Sequence, residues 1–338
     1  MNHRPGIKDV ASLAGVSIKT VSRVVNGINT VDPQMRDRVE AAISHLHYVP
    51  NSIARALKTG EADAVGIIVD SLDDVFFSSL ISAIEEQALA RGLGVVICST
   101  GHDAERERDQ VLRLAGQHVR GIILTPVADV RAQLTPYRAS MPVVTIDRTL
   151  PGYDSVVVDD YSAARQATQA LLAAGHRRIA LIGWNAGFQT AQRRRDAYVD
   201  VLTDNGIDVD EALIPQIDFR AGAATTALLA VLADPDPPTA MFITNARHAA
   251  TVVALTHRLG RTDLAMISFG DFLLADSLTP SITCIDQDPY AIGAAAFERL
   301  LELMDDPQSP PSQQVLPTDF IDRASHALSP IPAGAASA

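Results

Sequence analysis

The stretch Ile7–Asn26, IKDVASLAGVSIKTVSRVVN, decides how this chain of 338 residues begins. Its apolar positions Ile7, Val10, Ala11 and Ala14 recur at helical spacing, so a first short helix has one buried face. Gly15 ends that helix, because a left-handed turn costs glycine little. Ser17 follows as an N-cap, its hydroxyl free to accept from the open amides of the next turn. In the second helix Val21, Val24 and Val25 face a small core. That leaves Ser17, Ile18, Lys19, Thr20, Ser22 and Arg23 exposed, with Lys19 and Arg23 four apart on one face. A compact helix pair with a polar, basic second helix is how a helix-turn-helix offers side chains to the major groove. The same residues also fit a two-helix surface motif with a solvated face. A second basic segment, close behind, weighs against that.

This second segment is Tyr48–Gly60, YVPNSIARALKTG. Pro50 and Asn51 signal a helix start and Gly60 a stop. A helix of roughly eight residues is too short to be stable alone in water. It carries Arg55 and Lys58 for phosphates, beside Ile53, Ala54, Ala56 and Leu57. Such a helix folds when it meets DNA or a partner copy, and leucine is among the wedges that minor-groove binders push between base steps. An ordinary linker helix docked on the main domain would read the same way.

GVSIKTVSRVVN (15–26) followed by VEAAISHLHYVPNSIARAL (39–57) resembles the DNA-binding headpiece of the lactose-repressor (LacI/GalR) family. The resemblance implies a helix-turn-helix headpiece over 1–48, with a third helix near Asp32–Leu46, and a hinge helix and linker over 49–61. It implies that Lys19 and Ile18 read base edges, and that Ser17, Thr20, Ser22, Arg23 and Asn26 clamp backbone or adjacent bases. Leu57 would wedge into the operator centre, with Asn51, Ala54 and Arg55 beside it on the hinge. The family binds pseudo-palindromic double-stranded operators as dimers, and a small metabolite bound far away changes the affinity.

Composition fits an intracellular regulator. The length suits two or three domains with a large core. No apolar run is long enough for a membrane span, and Met1–Gly6 lacks a signal-peptide apolar region, so a cytoplasmic location is expected. Cys98 and Cys284 lie in strand-like runs at no metal or disulfide spacing, which predicts buried free thiols. Charge is uneven. Residues 1–60 carry +4 within a net of −12, leaving −16 for the remainder. A basic head on an acidic body fits DNA contact confined to the head.

From about Ala62 the chain alternates strands and helices. The first series of strand-like runs is AVGIIV (64–69), LGVVICS (93–99), GIILTP (121–126), PVVTID (142–147) and SVVVD (155–159). Helical patterns follow the first three; Phe77, Leu80, Ile81, Ile84 and Ala88 form one such stripe. The second series is RIALIG (178–183), PQIDF (215–219), TAMFITN (239–245), LAMISFG (264–270) and SITCIDQ (281–287). Apolar strands between amphipathic helices predict α/β lobes with parallel sheets covered on both faces, and two series predict two lobes. A Rossmann dehydrogenase alternates similarly, but no G-x-G-x-x-G follows any strand, and no cofactor is expected.

Ligands of open parallel sheets bind beyond the carboxyl ends of the strands. Those ends hold Asp70, Ser99, Thr125, Asp147, Phe219, Asn245, Asp271 and Gln287. Carboxylates and amides pair with adjacent hydroxyls, and an aromatic offers a flat face to a ring, so a carbohydrate-like ligand is expected between the lobes. Each residue taken singly also reads as a cap or turn residue.

The resemblance implies a two-lobed type I periplasmic-binding-protein-like domain over 62–328. Lobe one would be about 62–160 plus 289–317, lobe two about 161–288 plus 318–328, and 329–338 a disordered tail. Asp147 of IDR sits at an acidic effector position. QTAQRRRDAY aligns Arg194 with the family's effector-binding arginine, with Thr190 one turn earlier, and DFRAGAA places Phe219 at a stacking aromatic. Phe76 and Phe77 match a pocket-wall pair, while FITN and IDQD supply Asn245 and Gln287. Where members often have Asn-Asp, this chain has Asn245–Ala246. Where they often have G-[FY]-D-D, it has SFGD, so Gly270 replaces the usual ligand aspartate and Asp271 follows it. SFGD resembles the fructose-type branch, whose effectors include phosphorylated sugars.

His102, His118, His176, His248 and His257 have no helical H-x-x-x-H spacing and no cysteine partners, so no metal or catalytic constellation is expected. Arg177–Arg178 and Arg193–Arg195 fit pocket or lobe-surface roles within an acidic body. The sequence thus predicts a homodimeric, sugar-, polyol- or sugar-phosphate-responsive DNA-binding regulator, most simply a repressor and not an enzyme. Its rival is a cytoplasmic sugar-binding or sugar-processing protein without a DNA role. The segment after Phe320, IDRASHALSPIPAGAASA, has no a/d repeat, so no tetramerising coiled coil is expected.

Overall fold

A computed structural model of the chain describes residues 5–25, 28, 30–48, 62–217 and 222–330. The chain forms two compact units, Met1–Ala62 and Asp63–Ala338. The proposed hinge helix, with Asn51, Ala54, Arg55 and Leu57, lies outside the described residues, as do Asn26, Phe219 and the tail from 331.

In the first unit, α1 (Ile7–Ala14), α2 (Ile18–Val25) and α3 (Pro33–Leu46) share one core. Val10, Ala11, Ala14, Val21, Val39 and Ala42 are buried in it, and Ile7, Val24 and Val25 pack at its edge. The helix ends follow from the sequence. The Gly6 amide donates to the Asp9 carboxylate at 2.7 Å. Gly15 takes φ 62°, ψ 42° and closes α1. Asp32 caps α3 by accepting from Gln34 and Met35, with Pro33 in the first turn, where its missing N–H costs nothing.

The second unit holds two sheets. Strands β1 (Ala64–Val69), β2 (Gly94–Ser99), β3 (Ile122–Leu124), β4 (Val143–Ile146) and β5 (Asp154–Val158) come from the first series. They alternate with α4 (Val75–Ala90), α5 (Ala104–Gly116) and the one-turn α6 (Arg131–Leu134). Then come α7 (Asp160–Ala173), β6 (Ile179–Ile182), α8 (Gln189–Asp204), α9 (Ala223–Leu232), β7 (Ala240–Ile243) and α10 (Ala246–Arg258). The chain ends through β8 (Ala265–Phe269), β9 (Thr283–Asp286), α11 (Pro289–Asp305), β10 (Gln313–Leu316) and β11 (Asp319–Ile321).

The first sheet runs β10-β5-β4-β3-β1-β2 and is parallel throughout. The second runs β11-β9-β8-β7-β6. Its strands β6 to β9 are parallel, but β11 pairs antiparallel with β9, Asp319 opposite Asp286. The sheets are parallel as expected, save for this one edge strand. The chain enters β11 straight from β10 of the other sheet through Pro317 and Thr318 alone, so β11 starts at the cleft, where the parallel strands end, and runs against them. The all-buried patterns of β3, β4, β5, β6, β7 and β8 match sheets covered on both faces.

Three further differences have local causes. Residues 215–217 of PQIDF form no strand. Ile217 is instead held by irregular bonds, its amide donating to the Trp184 carbonyl at 2.9 Å and its carbonyl accepting from Asn185 at 3.1 Å. The helix after β3 is cut to one turn, with Pro136 just beyond it. Cys284 is buried, but Cys98, on the sheet-edge strand β2, is only half-buried.

Helix α11 packs against α4 so closely that a Cβ on Gly293 would collide with the Leu80 carbonyl oxygen. Two buried clusters cover the first sheet and two the second. Residues at the strand ends of both sheets line one cleft.

Candidate DNA-binding surface and effector cleft

In the first unit the turn between α1 and α2 is locked from outside. Arg38 of α3 donates to the Gly15 carbonyl at 3.0 Å and also to the Ala14 carbonyl. Ser17 accepts from the Thr20 amide at 3.1 Å and bonds the Thr20 hydroxyl at 2.9 Å. Val21 is fully buried, which fixes the rotation of α2. The face turned outward carries Ser17, Lys19, Arg23 and Ile18, the last 45% exposed despite being apolar. Thr20 and Ser22 are half-buried. The exposed face therefore pairs two cations with hydroxyls and one aliphatic side chain, a chemistry that can meet phosphates, base edges and thymine methyls.

In the second unit a cavity of about 350 Å³ opens between the lobes. Of the residues expected there, Asp70, Phe76, Phe77, Asp147, Thr190, Arg194, Asn245, Asp271 and Gln287 line it. Thr125 does not, which corrects the expectation. It is fully buried, and Arg148, which does line the cavity, donates to the carbonyl of the next residue, Pro126, at 2.9 Å. Glu107 ties down the same loop by accepting from the Val127 and Ala128 amides at 2.9 and 2.8 Å. Phe219 lies outside the described residues.

The wall from the first lobe is built on Asp70, Asp74, Asp147 and Arg148. Asp70 is 1% exposed, and its Oδ2 pairs with Arg148 and lies 3.3 Å from His102 Nδ1. Burial pushes the Asp70 carboxyl up, but the Arg148 charge and the His102 contact outweigh it and hold it below the usual range. Asp147 takes a left-handed φ of 64° at the end of β4 and meets Arg148 Nε at 3.2 Å. Burial raises the Asp147 carboxyl in spite of that partner. Asp74 caps α4 by accepting from the Phe76 amide at 3.0 Å, and burial raises its carboxyl too. Phe76 and Phe77 meet edge to face with centroids 5.1 Å apart.

On the opposite wall Arg194 reaches from α8 over the Phe269 ring, 3.7 Å from its centroid. Its Nε donates to Asp160 at 2.8 Å, its Nη2 lies 2.6 Å from the same oxygen, and its Nη1 donates to the Thr244 carbonyl at 2.5 Å. Burial pushes the Asp160 carboxyl up to about 6 despite this pairing. Asn245 caps α10 by accepting from the His248 amide and donates to His248 Nδ1, both at 2.8 Å. That bond leaves His248 Nε2 to carry the ring proton. Burial lowers the His248 pKa to about 4, so the ring is neutral near pH 7. Gly183, at φ 101°, is required here, since a Cβ would come within 2.6 Å of His248 Nδ1 and Thr244 Oγ1. Asp271 faces the cavity with both oxygens taken by Arg323, at 2.9 and 2.6 Å.

Sequence reading missed Arg148, His102, Asp74, Asp160, His248 and Phe188. Phe188 crosses from the second lobe, its ring 4.5 Å from the Arg148 guanidinium and 5.6 Å from the His102 ring. It precedes α8 in an irregular loop, where no periodic signal exists. Arg148 was legible, since it directly follows Asp147 in IDR.

Residues 6–51 match the model of bacterial regulatory proteins of the lacI family. Residues 62–323 match periplasmic binding proteins and the sugar binding domain of the LacI family. The transcriptional regulator GalS of Salmonella typhimurium is 32% identical over 302 residues, covering 88% of this chain and 89% of that protein. The ribose operon repressor of Escherichia coli K12 is 30% identical over 308 residues, covering 89% and 93%. The repressor PurR of Vibrio atlanticus is 29% identical over 307 residues, covering 89% and 92%. Among solved structures, the lac repressor dimer bound to operator and the anti-inducer ONPF aligns with a TM-score of 0.82 at 27% identity, over 97% of this chain and all of that one. The complex of the regulator CelR with cellobiose gives 0.68 at 28% identity, over 95% and 100%. With a family headpiece at its start, and the family's ligand-binding domain over most of the rest, the chain belongs to the LacI family of bacterial transcriptional regulators.

Proposed function

We propose that the protein is a dimeric repressor that binds a pseudo-palindromic operator through its headpiece and releases or tightens that grip when a carbohydrate-like effector fills the cleft. One observation carries this reading. A single chain joins a helix-turn-helix exposing Lys19 and Arg23 to a body whose cleft of about 350 Å³ is walled by carboxylates, amides and aromatics. One headpiece spans half of a symmetric site, so two copies are needed. Lys19 and Ile18 read base edges, and Ser17, Thr20, Ser22 and Arg23 position the helix. Asn26, Asn51, Ala54, Arg55 and Leu57 complete the interface.

In the cleft, Asp70, Asp147, Asn245 and Gln287 pair with hydroxyls, and Phe76 and Phe77 pack against the ligand body. The named repressors among its relatives support a regulatory role rather than catalysis, carried out in the cytoplasm where the chromosome lies. Among the described residues no helix is long and apolar enough to cross a membrane. Coupling requires only that the effector bind the two lobe arrangements with different affinity.

Gel retardation on a duplex selected from random DNA tests this, comparing the full chain with a truncation starting at Asp63. Binding by the full chain and none by the truncation is expected. Failure of the full chain to select any duplex would favour a sugar-binding protein without a DNA role.

A further inference from the structure

The cleft is electrically uneven. The wall from the first lobe carries three carboxylates, Asp70, Asp74 and Asp147, and one guanidinium, Arg148, which pairs with Asp70 and Asp147. Asp74 enters no ion pair among the described residues; its Oδ1 accepts only the Phe76 amide. A protonated His102 would still leave one carboxylate over. Across the cavity Arg194 is taken by Asp160 and Arg323 by Asp271, Asp286 adds a further carboxylate, and Arg247 reaches back to Asp73 of the first lobe. Each guanidinium lining the cavity is already paired with a carboxylate, so a phosphate would face surplus negative charge.

The cavity wall also holds polar atoms without a partner. Asp70 Oδ1 and Thr244 Oγ1 are buried and make no hydrogen bond, on residues each 1% exposed. Leaving such atoms unpaired is costly, and both belong to residues that line the cavity, so hydroxyls of a ligand drawn against these walls would satisfy them. Burial raises the carboxyls of Asp74 and Asp147 even against the charges of Arg247 on the first and of Arg148 and Arg194 on the second, and the charge of Asp147 adds to the rise at Asp74. Two anions thus sit in low dielectric with too little positive charge, and an incoming cation would relieve both.

We propose that the effector is a hydroxylated molecule bearing a protonated nitrogen, an amino sugar or amino polyol, with its ammonium held by Asp74 and Asp147 and its hydroxyls by Asp70 Oδ1 and Thr244. This rests on the cleft being the effector site.

The test uses matched sets built on several hexose and polyol scaffolds, each as the amine, the N-acetylated amine, the alcohol and the phosphate. Melting temperature and calorimetric affinity are read on the full chain. Some amine should raise the melting temperature and bind about tenfold or more tighter than its matched alcohol, the gain a buried charge-assisted hydrogen bond brings. Acetylation should abolish that gain. The pair Asp74→Asn and Asp147→Asn should bring the amine-to-alcohol ratio near one. Both variants keep the fold's local demands, because Asn caps helices well and tolerates the left-handed φ of 64° at position 147. Tight binding of an alcohol or phosphate without its amine would overturn the charge assignment and leave the sugar cleft standing. An amine preference that survives both substitutions would overturn it as well. No response from any member of the sets would overturn both the assignment and the carbohydrate-like reading.

Discussion

Charge placement at single residues decides most of what this molecule does. On the headpiece, Lys19 stands exposed on a helix whose rotation Val21 fixes. Lys19→Ala should relax preference at one operator position, costing roughly 1–3 kcal/mol there. Affinity measured across a panel of single-base operator variants checks this, and equal losses on every variant would count against base reading.

In the cleft, two buried groups titrate in opposite senses. His248 falls from 6.5 unfolded to about 4 folded, so the unfolded chain binds its proton first and stability is lost as pH drops through that window. Asp160 rises from 3.8 to about 6, so its contribution is present at low pH and lost as pH climbs between those values. Between pH 7 and pH 5 the histidine should cost about 2 kcal/mol. Urea unfolding of His248→Gln at both values should show a loss on acidification smaller by about that amount. The histidine was visible in the sequence only as one of several without metal spacing, since its role comes from burial behind Asn245.

At the level of elements, the sequence was most legible where period and caps agree. β1 spans the six residues its apolar run marks, and α3 starts one residue after its Asp32 cap. PQIDF misled because β propensity says nothing about whether a neighbouring strand offers free ladder bonds, and Ile217 bonds to a loop instead. Asp271 was legible as a strand-end acid, but its occupation by Arg323 was not, because 52 residues separate them.

Two glycines make element-scale predictions. Gly15→Ala forces a left-handed φ of 62° on alanine and pushes into Arg38. It should destabilise the headpiece by about 1–2 kcal/mol and weaken DNA binding, as headpiece melting followed by circular dichroism would show. Gly293→Ala drives a methyl group into the Leu80 carbonyl where α11 crosses α4. It should destabilise the second unit by roughly 1–3 kcal/mol in denaturant unfolding, with the headpiece transition unmoved.

At the level of the whole molecule, a basic head and an acidic body divide the labour between DNA and effector. The +4 of residues 1–60 against −16 elsewhere keeps phosphate contacts to the headpiece. Sedimentation should give one dimeric species; a monomer on operator DNA would undercut the half-site argument. The central claim is that the cleft governs the headpiece. Its most direct test is fluorescence anisotropy of the full chain on its selected duplex, with and without saturating amounts of whichever compound raises the melting temperature. The dissociation constant should move by about 5- to 150-fold, the usual span of coupling between two sites. A constant unchanged at saturation would contradict the account.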